Sequence, residues 1–348
     1  MEIIFSLITI FLILLFIVLA CVFFTNAVEH LGEKLNLSEG AVGSVLAAVG
    51  TALPETIVPL VAILGAYFTG GNIEVGSEIG IGAILGAPFL LGTLAFFVTG
   101  LAVIIYTKSG RRTSAMPVNT VIMFRDIHYF VIAYTIAILS SFIPFPYAKH
   151  FVALLLLAIY GIYVFKTVRT ASQTPEGGQE ELEALYFTKY AKFPDSLTMP
   201  MIILQLLISL AGIIFLAHLF VEELKYLAGV FAINPLILSL IITPIATELP
   251  EKFNSVIWIR AKKDTLALGN ITGAMVFQSC IPTAVGVALT PWVLKQDALA
   301  NVITVYLSVA VVYLNIVRNK GVLKPSALLT GGLFYLFYLG YILFTIFS

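Results

Sequence analysis

The sequence predicts an all-α polytopic membrane protein: ten transmembrane helices arranged as two inverted-topology repeats of five. Three observations predict it: the composition, the spacing of the apolar runs, and a short pattern that occurs twice. Of the 348 residues, 60% are apolar and only 11% are charged. Soluble domains carry about 25% charged residues. A water-soluble chain of this length could not cover its surface with 19 basic and 19 acidic side chains. Soluble, disordered, collagen-like and disulfide-scaffold classes are therefore excluded. The formal net charge of zero leaves no broad basic face, so no nucleic acid is expected as a partner. Cys21 and Cys280 both lie in apolar runs and read as small hydrophobes.

A helix crosses the hydrocarbon core with about 20 apolar residues. Ten runs meet that length: 3–24, 40–67, 79–105, 127–143, 149–166, 199–220, 232–258, 266–290, 299–317 and 325–347. The first holds ValLeuAlaCys at 18–21, which faintly resembles a lipoprotein cleavage site. Its leading MetGluIle has no Lys or Arg, so a retained helix is expected. The one long polar stretch, 167–198, contains ThrProGluGlyGly at 174–178 and then Glu180, Glu181 and Glu183. It divides the chain into an N-terminal five-helix repeat (1–166), a cytoplasmic linker loop (167–198) and a C-terminal five-helix repeat (199–348).

Orientation follows from the basic residues, which favour cytoplasmic loops. With the N-terminus outside, fifteen of the 19 fall on inside loops and only Lys149, Lys225 and Lys295 fall outside. Lys252 lies within a span, where it lines an exit path or snorkels to the interface. Both termini are thus expected outside, in a plasma-membrane protein surrounded by the lipid bilayer and with no protein partner.

Two spans carry carboxylates. GlyThrAlaLeuProGlu at 50–55 and AlaThrGluLeuProGlu at 246–251 share Thr-x-Leu-Pro-Glu, so Glu55 and Glu251 correspond at an offset of 196 residues. GlyAlaIleLeuGlyAla at 82–87 likewise matches GlyAsnIleThrGlyAla at 269–274. Five spans separate the copies, an odd number, so they insert with opposite topology. Inverted repeats of this kind place a transport site near the midplane. Pro54 and Pro250 are expected to disrupt the preceding turn and free carbonyls as cation ligands.

These segments resemble the paired α-repeat motifs of the sodium/calcium exchanger family, within the wider cation/Ca²⁺ exchanger superfamily. The resemblance implies a divergent archaeal- or bacterial-type member. It also implies Ca²⁺ ligation by Glu55 and Glu251, with backbone oxygens from Thr51 and Thr247. Where the family has Ser between Thr and Leu, this chain has Ala52 and Glu248. A family Ser after the second glycine is replaced by Ala87 and Ala274, and a family Asn or Asp by Leu91 and Gln278. Most of the lost oxygens belong to the family's Na⁺ sites, so those sites are altered here.

Glu248 and Glu251, three residues apart, share a helix face, and with Glu55 they assemble three carboxylates that titrate as one coupled unit. Such a unit binds metal when protons leave. The expected function is therefore a secondary antiporter that exchanges Ca²⁺, or a related divalent cation, for H⁺ or Na⁺ by alternating access. The expected metal-ligating set is Glu55, Glu251, Thr51, Thr247, Glu248, Gln278 and Asn270. Partners are small inorganic cations, and no cofactor is expected.

Gln278 and Asn270 are read equally as interhelical hydrogen-bonding groups. Thr51 and Thr247 are read equally as satisfying their own helix carbonyls. Glycines 80, 82, 86, 269 and 273 permit close helix packing. Glu74 and Glu78 belong to a solvated turn or a cation-attracting vestibule. His128 and His218 are read as interfacial residues, with a proton relay as their other reading. A divalent-cation channel, or a Na⁺-independent exchanger for Mg²⁺ or Mn²⁺, would use the same oxygen ligands. An intramembrane enzyme is not expected, because the four histidines (30, 128, 150, 218) show no metal-ligand spacing and none accompanies the ProGlu motifs.

Overall fold

The computed structural model describes residues 2–34, 53–171, 184–189 and 198–347. In chain order the elements are α1 (Glu2–Lys34), α2 (Leu53–Thr69), α3 (Ile73–Leu90), a π-helical turn (Leu91–Ala95) and α4 (Phe96–Lys108). There follow β1 (Met116–Pro117), α5 (Thr120–Ser140), α6 (Pro146–Ala171), the short α7 (Tyr186–Lys189) and α8 (Thr198–Phe231). The chain ends with α9 (Pro235–Arg260), α10 (Asp264–Leu289), α11 (Gln296–Arg318), β2 (Val322–Leu323) and α12 (Pro325–Phe347).

Among the described residues, eight helical segments are long and apolar enough to cross a membrane. Helices α2 and α9 overlap the expected second and seventh spans, with apolar stretches Glu55–Phe68 and Pro235–Ile245 among the described residues. The polytopic all-helical class stands.

Contacts sort the connecting loops into two ends. At one end β1 pairs antiparallel with β2, and the Asn119 amide donates to Thr265 Oγ1. The Arg112 guanidinium binds there too. It donates to both carboxylate oxygens of Asp264 (2.7 and 2.9 Å) and to the carbonyls of Ile259, Thr113 and Ala115. All five N–H groups are thereby used, and both side chains are only 2% exposed. At the other end Lys295 donates to Glu78 at 2.6 Å, and the Asn234 amide approaches the same oxygen at 3.4 Å. Glu78 is therefore held rather than solvated, a correction to the turn expected there. That hydrogen bond holds the Lys295 ammonium above its ordinary pKa.

Helices α1 and α8 lie antiparallel. Ser6 Oγ donates to Glu223 at one end, and Gln205 Nε2 donates to Asn26 Oδ1 and the Phe23 carbonyl at the other. Helix α7 docks onto this pair: the Tyr186 amide donates to Asn26 Oδ1 and the Phe187 amide to Gln205 Oε1. The other long helices pack reciprocally. Helices α5 and α6 lie on α10, whereas α11 and α12 lie on α3, the π turn and α4. Asp126 of α5, fully buried, buckles the first group. It accepts from Arg125, from Tyr163 of α6 (3.1 Å) and from Thr272 of α10 (2.9 Å). The second group closes where Ser308 Oγ donates to the Gly92 carbonyl (2.5 Å) and Gly331 packs on the Thr93 carbonyl.

The break expected at Pro250 does not form, and the turn expected to be disrupted before Pro54 lies outside the described residues. Helix α9 runs unbroken through Pro250, and Pro54 is the second residue of α2, where a missing N–H costs little. Cys21 and Cys280 are both buried, as their apolar runs indicated.

Arg112→Ala leaves Asp264 buried without its bidentate partner. The expected loss is about 3–5 kcal/mol, the range for breaking a buried ion pair. Thermal unfolding in detergent measures it, and Arg112→Lys recovers only part because one ammonium cannot span five acceptors.

Candidate cation site

Helix α3 runs between α2 and α9, and glycines set the spacing. A Cβ at Gly76 would stand 2.5 Å from the Ala62 carbonyl oxygen, and one at Gly80 would stand 2.5 Å from the Ile63 side chain. These glycines face α2. A Cβ at Gly82 would stand 2.3 Å from the Leu236 carbonyl oxygen, and one at Gly86 would stand 2.2 Å from that of Leu240. These face α9, about 120° further round. Pro244 has no N–H to offer the Leu240 carbonyl, so the backbone of Gly86 can close onto an oxygen the helix itself does not use. Continuing both rows at ~1.5 Å per residue brings Glu55 and Glu248 within about two helical turns in depth.

Glu55 sits in the first turn of α2 and is 4% exposed. A carboxylate there is favoured by the positive end of the helix dipole. Glu248 of α9 is 1% exposed, and Gln278 Nε2 of α10 donates to its Oε1 at 2.7 Å. Gln278 is itself buried, and its Oε1 accepts no hydrogen bond among the described residues. Pro282 cannot donate to the Gln278 carbonyl, and Thr283 Oγ1 takes it instead at 2.7 Å.

Thr247 is buried with its hydroxyl donating to the Thr243 carbonyl at 3.2 Å, which leaves its lone pairs but not its proton. Below it, Thr243 and Ser239 share a hydrogen bond of 3.1 Å, and Ser239 donates to the Ile79 carbonyl of α3. This hydroxyl ladder was not singled out in the sequence, although 239, 243 and 247 repeat at four-residue spacing. Asp126 was also passed over, since Arg125 and His128 beside it suggested an interface. His128 is exposed, with its ring against Tyr313.

Asn270 stands eight residues from Gln278, about 12 Å along α10. Its amide donates to Ser255 of α9 at 3.2 Å, so it ties the α9–α10 hairpin and is not brought to the Glu248–Gln278 pair. Of the glycines matched to 82 and 86, a Cβ at Gly273 would stand 3.4 Å from the Tyr163 hydroxyl, and one at Gly269 would meet nothing within 4 Å among the described residues. Thr51 lies outside the described residues, as do the side chains of Glu251 and Lys252, whose backbone belongs to α9. Among the described residues no three His, Cys, Asp or Glu side chains converge.

A polytopic helical membrane protein with carboxylate, amide and hydroxyl oxygens buried where its two repeated motifs approach one helix is the class defined so far. The chain belongs to the sodium/calcium exchanger family: the model described as "Sodium/calcium exchanger protein" matches residues 5–168 and 201–347. It is 24% identical over 272 residues to the inner membrane protein YrbG of Escherichia coli, covering 78% of this chain and 76% of YrbG. In fold it is similar to the H⁺/Ca²⁺ exchanger CAX, with a TM-score of 0.70 at 16% identity over 98% of this chain and 86% of CAX. The sodium-calcium exchanger NCX_Mj gives 0.55 at 19% identity, over 97% of this chain and 98% of NCX_Mj.

Gln278→Leu removes a hydrogen bond to a buried carboxylate. Its expected cost is about 1.5–3 kcal/mol, and the double variant with Glu248→Gln costs less than the two singles together. A double-mutant cycle on thermal unfolding reads the coupling, and additive single effects would exclude the contact.

Proposed function

We propose that the chain is a secondary antiporter exchanging Ca²⁺ for H⁺ by alternating access, with Glu55, Glu248 and Glu251 as its charged ligands. The observation that carries this reading is the Glu248–Gln278 pair. A carboxylate is buried where the family places a serine, and beside it lies an amide oxygen with no donor among the described residues. Oxygen-only groups suit a hard divalent cation, whose affinity rises with ligand charge count. Thr51 and Thr247 add backbone oxygens, while Asn270 holds the hairpin. Carboxylates bind the cation only when deprotonated, so a fall in pH competes cation off and a rise restores it.

The ten-span, inverted-repeat architecture belongs to the same proposal. Its support is the separate match of one family model to each half and the reciprocal packing of α5–α6 on α10 and of α11–α12 on α3 and α4. The end that gathers Lys108, Arg111, Arg112, Lys262, Lys263 and Lys320 is the cytoplasmic one, with both termini outside in the plasma membrane.

Reconstituted vesicles test the coupling. An imposed pH gradient without Na⁺ is expected to drive saturable uptake of labelled Ca²⁺, and Glu251→Gln is expected to weaken apparent affinity at least about tenfold. Uptake driven by a Na⁺ gradient at fixed pH, and not by a pH gradient, would overturn proton coupling.

A further inference from the structure

A cavity of about 560 Å³ opens at the end of the molecule opposite the Arg112–Asp264 pair. It lies where α5 and α10 stop and α6 begins, at the level where apolar helix surface gives way to the turns 141–145 and 290–295. Lys149, in the first turns of α6, lines it and is 8% exposed. Its ammonium donates to the Pro291 carbonyl. An ammonium has three donors, so two remain, and no carboxylate lies within ion-pair distance among the described residues. A buried cation facing one neutral carbonyl is costly unless an anion completes its shell.

The neighbouring groups do not supply that anion. Thr290 donates to the Gly286 carbonyl and accepts from the Trp292 amide, so it is already engaged. His150 donates from Nδ1 to the Pro146 carbonyl at 2.9 Å and supplies no negative charge. The amino end of α6 adds a favourable dipole for negative charge. Around the mouth, Phe142 and Val293 are 67% and 59% exposed, and Phe145 and Phe151 are exposed beside them. Apolar walls at the rim and one uncompensated ammonium within match an amphiphile with an anionic head.

We propose that this cavity binds the phosphate of a phospholipid headgroup, with Lys149 as its cation and the Phe142–Val293 rim against the acyl chains. The site is separate from the carboxylates of α2 and α9 and gives the outer half of the helix bundle a fixed lipid.

Native mass spectrometry of the detergent-purified chain tests it, with dioleoyl phosphatidylglycerol, dioleoylglycerol and inorganic phosphate as separate probes. The wild type is expected to retain one phosphatidylglycerol at least about tenfold more tightly than dioleoylglycerol, since a charge-assisted hydrogen bond distinguishes them. Lys149→Met is expected to erase that preference, Lys149→Arg to keep it, and Lys225→Met, at a remote exposed pair, to leave it unchanged. Should Lys149→Met fail to fold, Val293→Glu sets a repelling carboxylate at the rim without touching the Lys149–Pro291 bond, and retention is again expected to fall. Equal retention by wild type and the folded variants would overturn the proposal. Inorganic phosphate alone protecting the wild type as well as the lipid does would overturn the lipid assignment.

Discussion

The approach of α3 to α9 is the contact on which the site depends. Gly82 and Gly86 present bare backbone to the Leu236 and Leu240 carbonyls, so the two helices approach backbone to backbone at these positions. Membrane helices have little hydrophobic incentive to associate, because lipid tails are as apolar as leucine. Close backbone packing supplies the dispersion contact instead. On its other face α3 meets α2 through Gly76 and Gly80, so one helix sets the positions of both motif-bearing helices. Glu55 and Glu248 acquire related depths through α3.

Hydrocarbon offers no water to a polar group, so each must be answered from within. The chain does this with proline and hydroxyl pairs. Pro282 withholds a donor from the Gln278 carbonyl and Thr283 replaces it; Pro244 withholds one from Leu240 and Gly86 closes onto the oxygen. Arg112 and Asp126 follow the same rule for charge, each meeting several partners drawn from other elements. The prolines thus adjust which carbonyls are engaged without interrupting the helices that carry them.

This distinction marks what could be read from the chain alone. The polytopic helical class and the apolar lodging of both cysteines follow from composition, since burial in lipid leaves a long continuous signature. The roles of glycines 82 and 86 were legible because small residues at four-residue spacing have one common use. The unbroken α9 was not legible: a proline lowers helix propensity locally, and only the neighbouring backbone and hydroxyls reveal that the loss is made good. Asp126 was hidden for a related reason. Its partners Tyr163 and Thr272 come from two other helices, so nothing near it in sequence distinguishes a buried buckle from an interfacial charge. Glu78 was misread because Lys295, 217 residues away, is what holds it.

The same ties constrain how the molecule can move. Asp126 fastens α5 and α6 to α10, and Ser308 with Gly331 fastens α11 and α12 to the π turn that continues α3. Each helix next to the carboxylates is thus bound to a pair from the opposite half of the chain. Helices α1 and α8 are bound to one another by Asn26, Gln205, Ser6 and Glu223, and with α2 they form a separate apolar cluster. An apolar seam slides at less cost than one crossed by hydrogen bonds to buried charge, because no polar group must be exposed to hydrocarbon on the way. Among the described residues the seam between the α1–α8 pair and α2 is lined by apolar side chains, whereas the helices next to the buried carboxylates are fastened by polar contacts.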